Sequence, residues 1–234
     1  HVLNNDGFRS GEHTVEKAPN LFRVAFLGDS YTYGQGVPEG REFARVVERN
    51  LRALAPSGQE IEVLNFGISG YDTEQERLSY EHWASKYQPD LVVLVMFEND
   101  IDPPATVAWT DGRSAEVAPS FDNRVTRSSV NEGFKRCARH LYHLKKRCDA
   151  DGAQLVVVVL NLFDSTRSRE LVQILSEVES ELHLPVLNTF PDFQKFGLSF
   201  DQIIVHPTDH HCNGRVHQIV GDMISRWLDK QHWI

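Results

Sequence analysis

Two unbroken apolar runs, residues 91–96 and 155–160, limit what this chain can fold into more than any other feature. Turn formers adjoin them, among them Gln88-Pro89-Asp90 and Gly152. A strand without a polar face has to be covered on both sides. That is the situation of a central strand in a parallel sheet with helices above and below it.

The remaining pattern fits such a sheet. A stretch at 22–27 is interrupted only by Arg23 and runs into Gly28-Asp29-Ser30, and residues 61–65 and 185–188 supply two further short strands. Apolar residues recur at helical spacing in Phe43, Val46, Val47, Leu51 and Leu54, ahead of Pro56 and Gly58. They do so again in Val216, Ile219, Val220, Met223, Ile224, Trp227 and Leu228. Further helices are expected over 73–87, capped by Asp72 or Thr73, over 130–150 and over 168–182. Parallel neighbours need crossover connections. The alternation therefore predicts an α/β chain, a single-domain three-layer α/β/α sandwich on a doubly wound, mainly parallel five-stranded sheet. No repeat or long linker divides it. Residues 1–20 read as a loose lead-in wrapping the domain edge, 21–234 as the domain, and the Pro-bearing stretch 101–127 as one wall of a substrate cleft.

A chain of 234 residues is long enough for one sizeable core, burying roughly 70 to 75% of the surface it exposes when unfolded. A formal charge of −9 argues against a general basic surface for nucleic acid or an anionic membrane and leaves small neutral or sugar ligands open. No apolar run reaches the ~20 residues that span a bilayer, and no signal peptide opens the chain. Because it begins at His1 rather than Met, an upstream signal or anchor is left open. Cys137, Cys148 and Cys212 follow no zinc spacing, and the first two fall on one predicted helix, too far apart to bridge. Idle thiols are expected, with no cofactor and no bound metal. Oligomeric state is not legible.

Ligands of doubly wound sheets sit beyond the carboxyl ends of the strands. Four short blocks fall there. Gly28-Asp29-Ser30 follows the first strand and offers a hydroxyl nucleophile, although Asp-Ser is also an ordinary turn or cap. In Asn65-Phe66-Gly67-Ile68-Ser69-Gly70-Tyr71, after the second strand, Gly70 can lend a backbone N–H to an oxyanion or simply make a turn. Phe97-Glu98-Asn99-Asp100 brings the Asn99 amide to the same edge after the third. Thr208-Asp209-His210-His211-Cys212-Asn213, just before the last helix, holds His211 as the imidazole that a serine needs to become nucleophilic. The same cluster, His206, Asp209, His210, His211, Cys212 and His217, also permits a metal reading.

The order of these blocks resembles that of the SGNH, or GDSL-like, hydrolases. The segments VAFLGDSYTYGQGV, EVLNFGISGYDTEQE, PDLVVLVMFEND and DHHCNGRVH are similar to its successive blocks and together span nearly the whole domain. The resemblance implies the flavodoxin-like SGNH fold and a serine esterase acting through an acyl-enzyme. Ser30 would be the nucleophile and His211 the base, with the Ser30 N–H, the Gly70 N–H and the Asn99 side chain as oxyanion hole. Three positions depart from the family pattern. The acid that stands three residues before the histidine is Thr208 here, leaving Asp209 as the nearby carboxylate; Phe97 replaces the glycine of the third block, and Cys212 the proline after the histidine. An α/β-hydrolase is disfavoured because no G-x-S-x-G elbow occurs.

Fold does not choose a substrate within this superfamily. Tyr31, Tyr33, Tyr71 and Phe97 either line the cleft, with Tyr31, Tyr71 and Phe97 as substrate-binding residues, or are ordinary packing. With no long apolar lid in the sequence, a short-acyl ester such as an acetylated saccharide is preferred. The NNDGFRSGE lead-in resembles exported or anchored relatives, which points outside the cytoplasm. A catalytically silent binder on the same fold and a metal-dependent hydrolase are the two rivals.

Overall fold

The apolar runs do become the middle of a sheet. The computed structural model describes residues 3–101 and 127–233. Its strands are β1 (Leu21–Gly28), β2 (Glu60–Asn65), β3 (Leu91–Met96), β4 (Gln154–Val159) and β5 (Val186–Asn188), all parallel, in the order β2-β1-β3-β4-β5. The helices are α1 (Ser30–Tyr33), α2 (Phe43–Leu54), α3 (Thr73–His82), α4 (Arg127–Asp151), α5 (Thr166–Leu182), α6 (Phe190–Phe193), α7 (Phe200–Ile203) and α8 (Gly214–Lys230). A small antiparallel hairpin, β6 (Ile204–His206) and β7 (Asp209–Cys212), precedes α8.

Strand alternation sends each side chain to one of two cores. Ala25, Leu27, Val92, Leu94, Val157 and Val159 pack under α3, α4 and α5, where Tyr80, Leu141, Leu144, Leu171 and Leu175 meet them. On the other face Val24, Phe26, Val93, Val95, Val156 and Val158 meet Phe43, Val47 and Leu51 of α2 and Val216, Val220, Ile224 and Leu228 of α8. The chain leaves β1 toward β2 on one side and returns to β3 on the other, so the carboxyl ends of β1 and β3 flank the point where the winding reverses. A crevice opens there in doubly wound sheets.

Two features differ from the sequence reading. The helix expected over 73–87 ends at His82 and resumes as a 3-10 turn over Ala84–Tyr87. Trp83 leaves helical dihedrals where its ring meets Phe8 edge-on. The lead-in, read as loose, is pinned. Phe8 is buried against Phe66, and Arg9 is buried as well. Arg23, the polar interruption in β1, is fully buried because the lead-in carbonyls of Thr14 and Val15 accept from its guanidinium and Glu62 pairs with it at 2.5 Å. His13 closes that network on Glu62 at 2.6 Å. The stretch 102–126, expected as a cleft wall, lies outside the described residues.

Candidate active site

Ser30 opens α1, a single turn directly beyond β1. Four residues are too few to hold a helix by their own hydrogen bonds, so the turn's shape has to be imposed from outside. Asp29 caps it, accepting from the Tyr31 N–H at 2.9 Å. Its other carboxylate oxygen accepts from Asn99 Nδ2, also at 2.9 Å. An amide carries two N–H groups, so Asn99 keeps one to offer elsewhere.

The hairpin brings the C-terminal block back to Ser30. His211 Nε2 stands 2.8 Å from Ser30 Oγ, and His211 Nδ1 stands 2.6 Å from Asp209 Oδ1. The reason Asp209 reaches the ring lies in β7. Along a strand, residues i and i+2 project to the same side, so the Asp-x-His of β7 places Asp209 and His211 side by side. The same alternation turns His210 away from Ser30, edge-on to Phe200 with 5.1 Å between ring centres. Cys212, where the family has proline, is buried and pairs with Ile204 in the hairpin, and burial holds its thiol neutral. Asn213 locks this unit to α8, capping Arg215 and Val216 and donating to the carbonyls of Gln202 and Ile204.

Hydrogen bonding between them keeps the Asp209 carboxyl below its ordinary range. Asp29 goes the other way. Burial raises it to about 6, against the lowering effect of the Tyr31 N–H and Asn99. The turn bearing Asn99 is fixed by Asp100, which accepts from Thr73 Oγ1 at 2.8 Å and from the Phe97 N–H at 2.9 Å. The Gly70 turn is hung from β1 by the Ile68 N–H on the Gly28 carbonyl, and Gly70 takes φ +81°, which suits glycine. Among the described residues neither the Ser30 nor the Gly70 N–H has an acceptor.

Of the aromatics, Tyr31 lies between Phe97, at 4.2 Å, and His211, at 5.1 Å. Phe97 is thus linked to His211 through the Tyr31 ring. Tyr71 is half-buried on the Gly70 turn. Among the described residues no three His, Cys, Asp or Glu side chains converge to hold an ion. His217 instead accepts from the Phe43 N–H and stacks on the Phe43 ring, while His206 pairs with Thr208. Sequence reasoning missed Asp29 and Asn65 as organisers. Asn65 is buried at the end of β2, donates to the Thr32 carbonyl at 2.8 Å and accepts from the Gly67 N–H at 2.9 Å, joining the first two blocks. A polar residue closing a buried strand was the available signal.

A model of the GDSL-like lipase/acylhydrolase family matches residues 26–211, the span from β1 through the histidine of β7. The chain belongs to that family. Members of the GDSL-like lipase/acylhydrolase family are ester hydrolases, and the fold agrees. A lipase/acylhydrolase from Enterococcus faecalis superposes with a TM-score of 0.63 at 19% identity, over 90% of this chain and 96% of that one. An acetylxylan esterase from Geobacillus stearothermophilus, solved as a catalytic mutant, gives 0.63 at 17% identity, over 88% and 93%. A two-domain esterase active on acetylated mannans gives 0.61 at 18% identity, over 90% of this chain and 49% of that one. Among curated proteins none matches the chain by sequence. No helix among the described residues is long and apolar enough to cross a membrane.

Proposed function

We propose that this ester hydrolase is a serine esterase in which Ser30, His211 and Asp209 form the catalytic triad. The observation that carries the reading is the hydrogen-bonded line from Ser30 Oγ through the imidazole to Asp209, 2.8 Å and 2.6 Å long. His211 Nε2 takes the serine proton as Oγ bonds to the ester carbonyl carbon. It then returns that proton to the departing alcohol as the C–O bond breaks. Water repeats the exchange on the acyl-enzyme and frees the acid. The Ser30 and Gly70 N–H groups and the spare Asn99 N–H hold the oxyanion.

One such donor contributes about 3 to 4 kcal/mol to the transition state. Asn99→Ala is therefore expected to lower kcat by roughly 100-fold to 1000-fold with little change in KM. Steady-state kinetics on a 4-nitrophenyl ester checks this, and a variant that keeps most of its kcat removes Asn99 from the hole. The variant also reads Asp29. As pH falls through about 6, Asp29 takes a proton and ceases to be a pure acceptor for Asn99. The wild-type acid limb is thus expected to be steeper than that of Asn99→Ala, which has already lost the group Asp29 orients.

For the substrate we infer a short-acyl ester, with acetylated saccharides as the class. Supporting this are the two structural relatives named for acetylated xylan and acetylated mannan, and an aromatic pair near the catalytic edge. Phe163, in the loop after β4, and Phe200, at the start of α7, are 37% and 47% exposed with ring centres 5.4 Å apart. Exposed Trp83 and Tyr142 are each covered by a lysine, whereas no cation lies over either phenylalanine among the described residues. Exposed aromatic faces, with His210 edge-on to Phe200 and with Asp164 and Asp201 next to them in sequence, suit a sugar ring better than an alkyl chain. Across 4-nitrophenyl esters of rising chain length, kcat/KM is expected to peak at acetate and fall as the acyl chain grows. A rise with chain length rules the short-acyl class out.

A further inference from the structure

We infer that Arg9, on the N-terminal segment, is a positioning residue for the nucleophile turn, so that the lead-in is part of the catalytic apparatus rather than a wrapping. The inference rests on the esterase reading. The single turn α1 ends in Gly34, whose N–H returns to the carbonyls of Ser30 and Tyr31. Beyond it, the Gly34 carbonyl accepts from the Val37 N–H at 3.2 Å. Arg9 ties the rear of the turn further. Its Nη1 donates to the carbonyls of Tyr33, at 3.0 Å, and Gly34, and its Nη2 to that of Val37 at 2.6 Å.

The guanidinium is itself fixed. It is fully buried, donates through Nε to Glu39 at 3.3 Å, lies 3.8 Å from Glu42 and sits 5.4 Å over the Tyr33 ring. Next to it, Phe8 is anchored on Phe66 and Trp83, and Asn4 closes a tight loop by accepting from the Phe8 N–H through its side chain. The fit around the turn is close. A Cβ on Gly34 would stand 2.8 Å from Glu42 Cβ and 3.0 Å from Arg9 Nη1, so Arg9 and Glu42 leave this glycine no room for a side chain. Asp29 holds the front of the turn and Arg9 its rear, and Ser30 Oγ meets His211 at 2.8 Å because both ends are set.

A lysine in its place has one ammonium centre and cannot reach three carbonyls and Glu39 in the fixed fork of a guanidinium. Arg9→Lys is therefore the first variant to test, with Arg9→Ala second. On 4-nitrophenyl acetate, Arg9→Lys is expected to lower kcat roughly 10-fold to 100-fold with KM within about threefold, since small misplacement of a reacting group carries losses of that order. Arg9→Ala is expected to lose more, and millimolar guanidinium is expected to restore part of its rate. Hydrogen exchange read by mass spectrometry is expected to quicken over residues 30–37 while β3 and β4 stay as in the wild type. A kcat within twofold of wild type in Arg9→Lys overturns the inference, as does a loss carried wholly by KM. Exchange that quickens equally in β3 and β4 also overturns it, because the role is then general stability. Should the wild type hydrolyse no ester, the esterase reading fails by itself, and exchange over 30–37 still decides whether Arg9 clamps the turn.

Discussion

Ser30→Ala is expected to lower kcat on 4-nitrophenyl acetate by about 10⁶-fold, the loss typical when a serine nucleophile that works as one unit with its base is removed. The substitution takes away a single oxygen. Its hydrogen bond to His211, 2.8 Å long, is the only polar contact that Ser30 Oγ makes among the described residues, so the fold and the hole should survive. KM and thermal unfolding are accordingly expected to stay near wild-type values. Mass spectrometry of the protein treated with an organophosphate should show one added phosphoryl group on wild type and none on Ser30→Ala. Labelling that persists in the variant would put the nucleophile elsewhere, and no labelling of the wild type would favour a silent binder.

Asp209 gives the second large effect, and the two substitutions that remove its charge are expected to differ. Asp209→Ala leaves the ring free to turn and to take the wrong tautomer, and a loss of about 10⁴-fold in kcat is expected. Asp209→Asn should lose far less, roughly 100-fold. Asp209 Oδ1 accepts from the His211 backbone N–H at 3.2 Å as well as from Nδ1. That backbone donor selects the amide oxygen, not the amide nitrogen, for the position facing the ring, so the correct tautomer is kept and only the charge is lost. Equal losses in the two variants would show that charge alone matters. A loss below about threefold in both would indicate a Ser-His dyad.

The acid side of the pH profile follows from the same groups. Hydrogen bonding with His211 keeps the Asp209 carboxyl low, so its contribution is intact at mildly acidic pH and disappears only as pH falls through that depressed range. Loss of activity on mild acidification is therefore expected from Asp29, which takes a proton as pH falls through about 6, and not from Asp209. For Asp29 the folded value, about 6, lies above the unfolded one. Its effect on stability has the opposite sign, full below the ordinary carboxylate range and lost as pH rises through about 6.

The doubly wound sandwich, the strand edge where the four blocks gather and the block order were all legible in the residues. Runs such as 91–96 have no polar face, and a hydrophobic pattern is a local property that survives without coordinates. The acid was a different matter. Asp209-His210-His211-Cys212 shows no apolar alternation, so nothing in its composition announces a strand, and β7 exists because it pairs with β6 and is tied down by Asn213. Only that pairing puts Asp209 and His211 on one side and His210 on the other. The lead-in was misjudged for a related reason. Its residues are mostly polar, and polarity reads as loose until Arg9 is found buried against the carbonyls beyond α1 and the Thr14 carbonyl is found on buried Arg23 of β1. Sequence by itself determined the layers and the edge, because burial follows the spacing of apolar side chains. Tertiary structure decided which groups meet at that edge, because hydrogen bonds of a few ångströms depend on where separate segments come to rest.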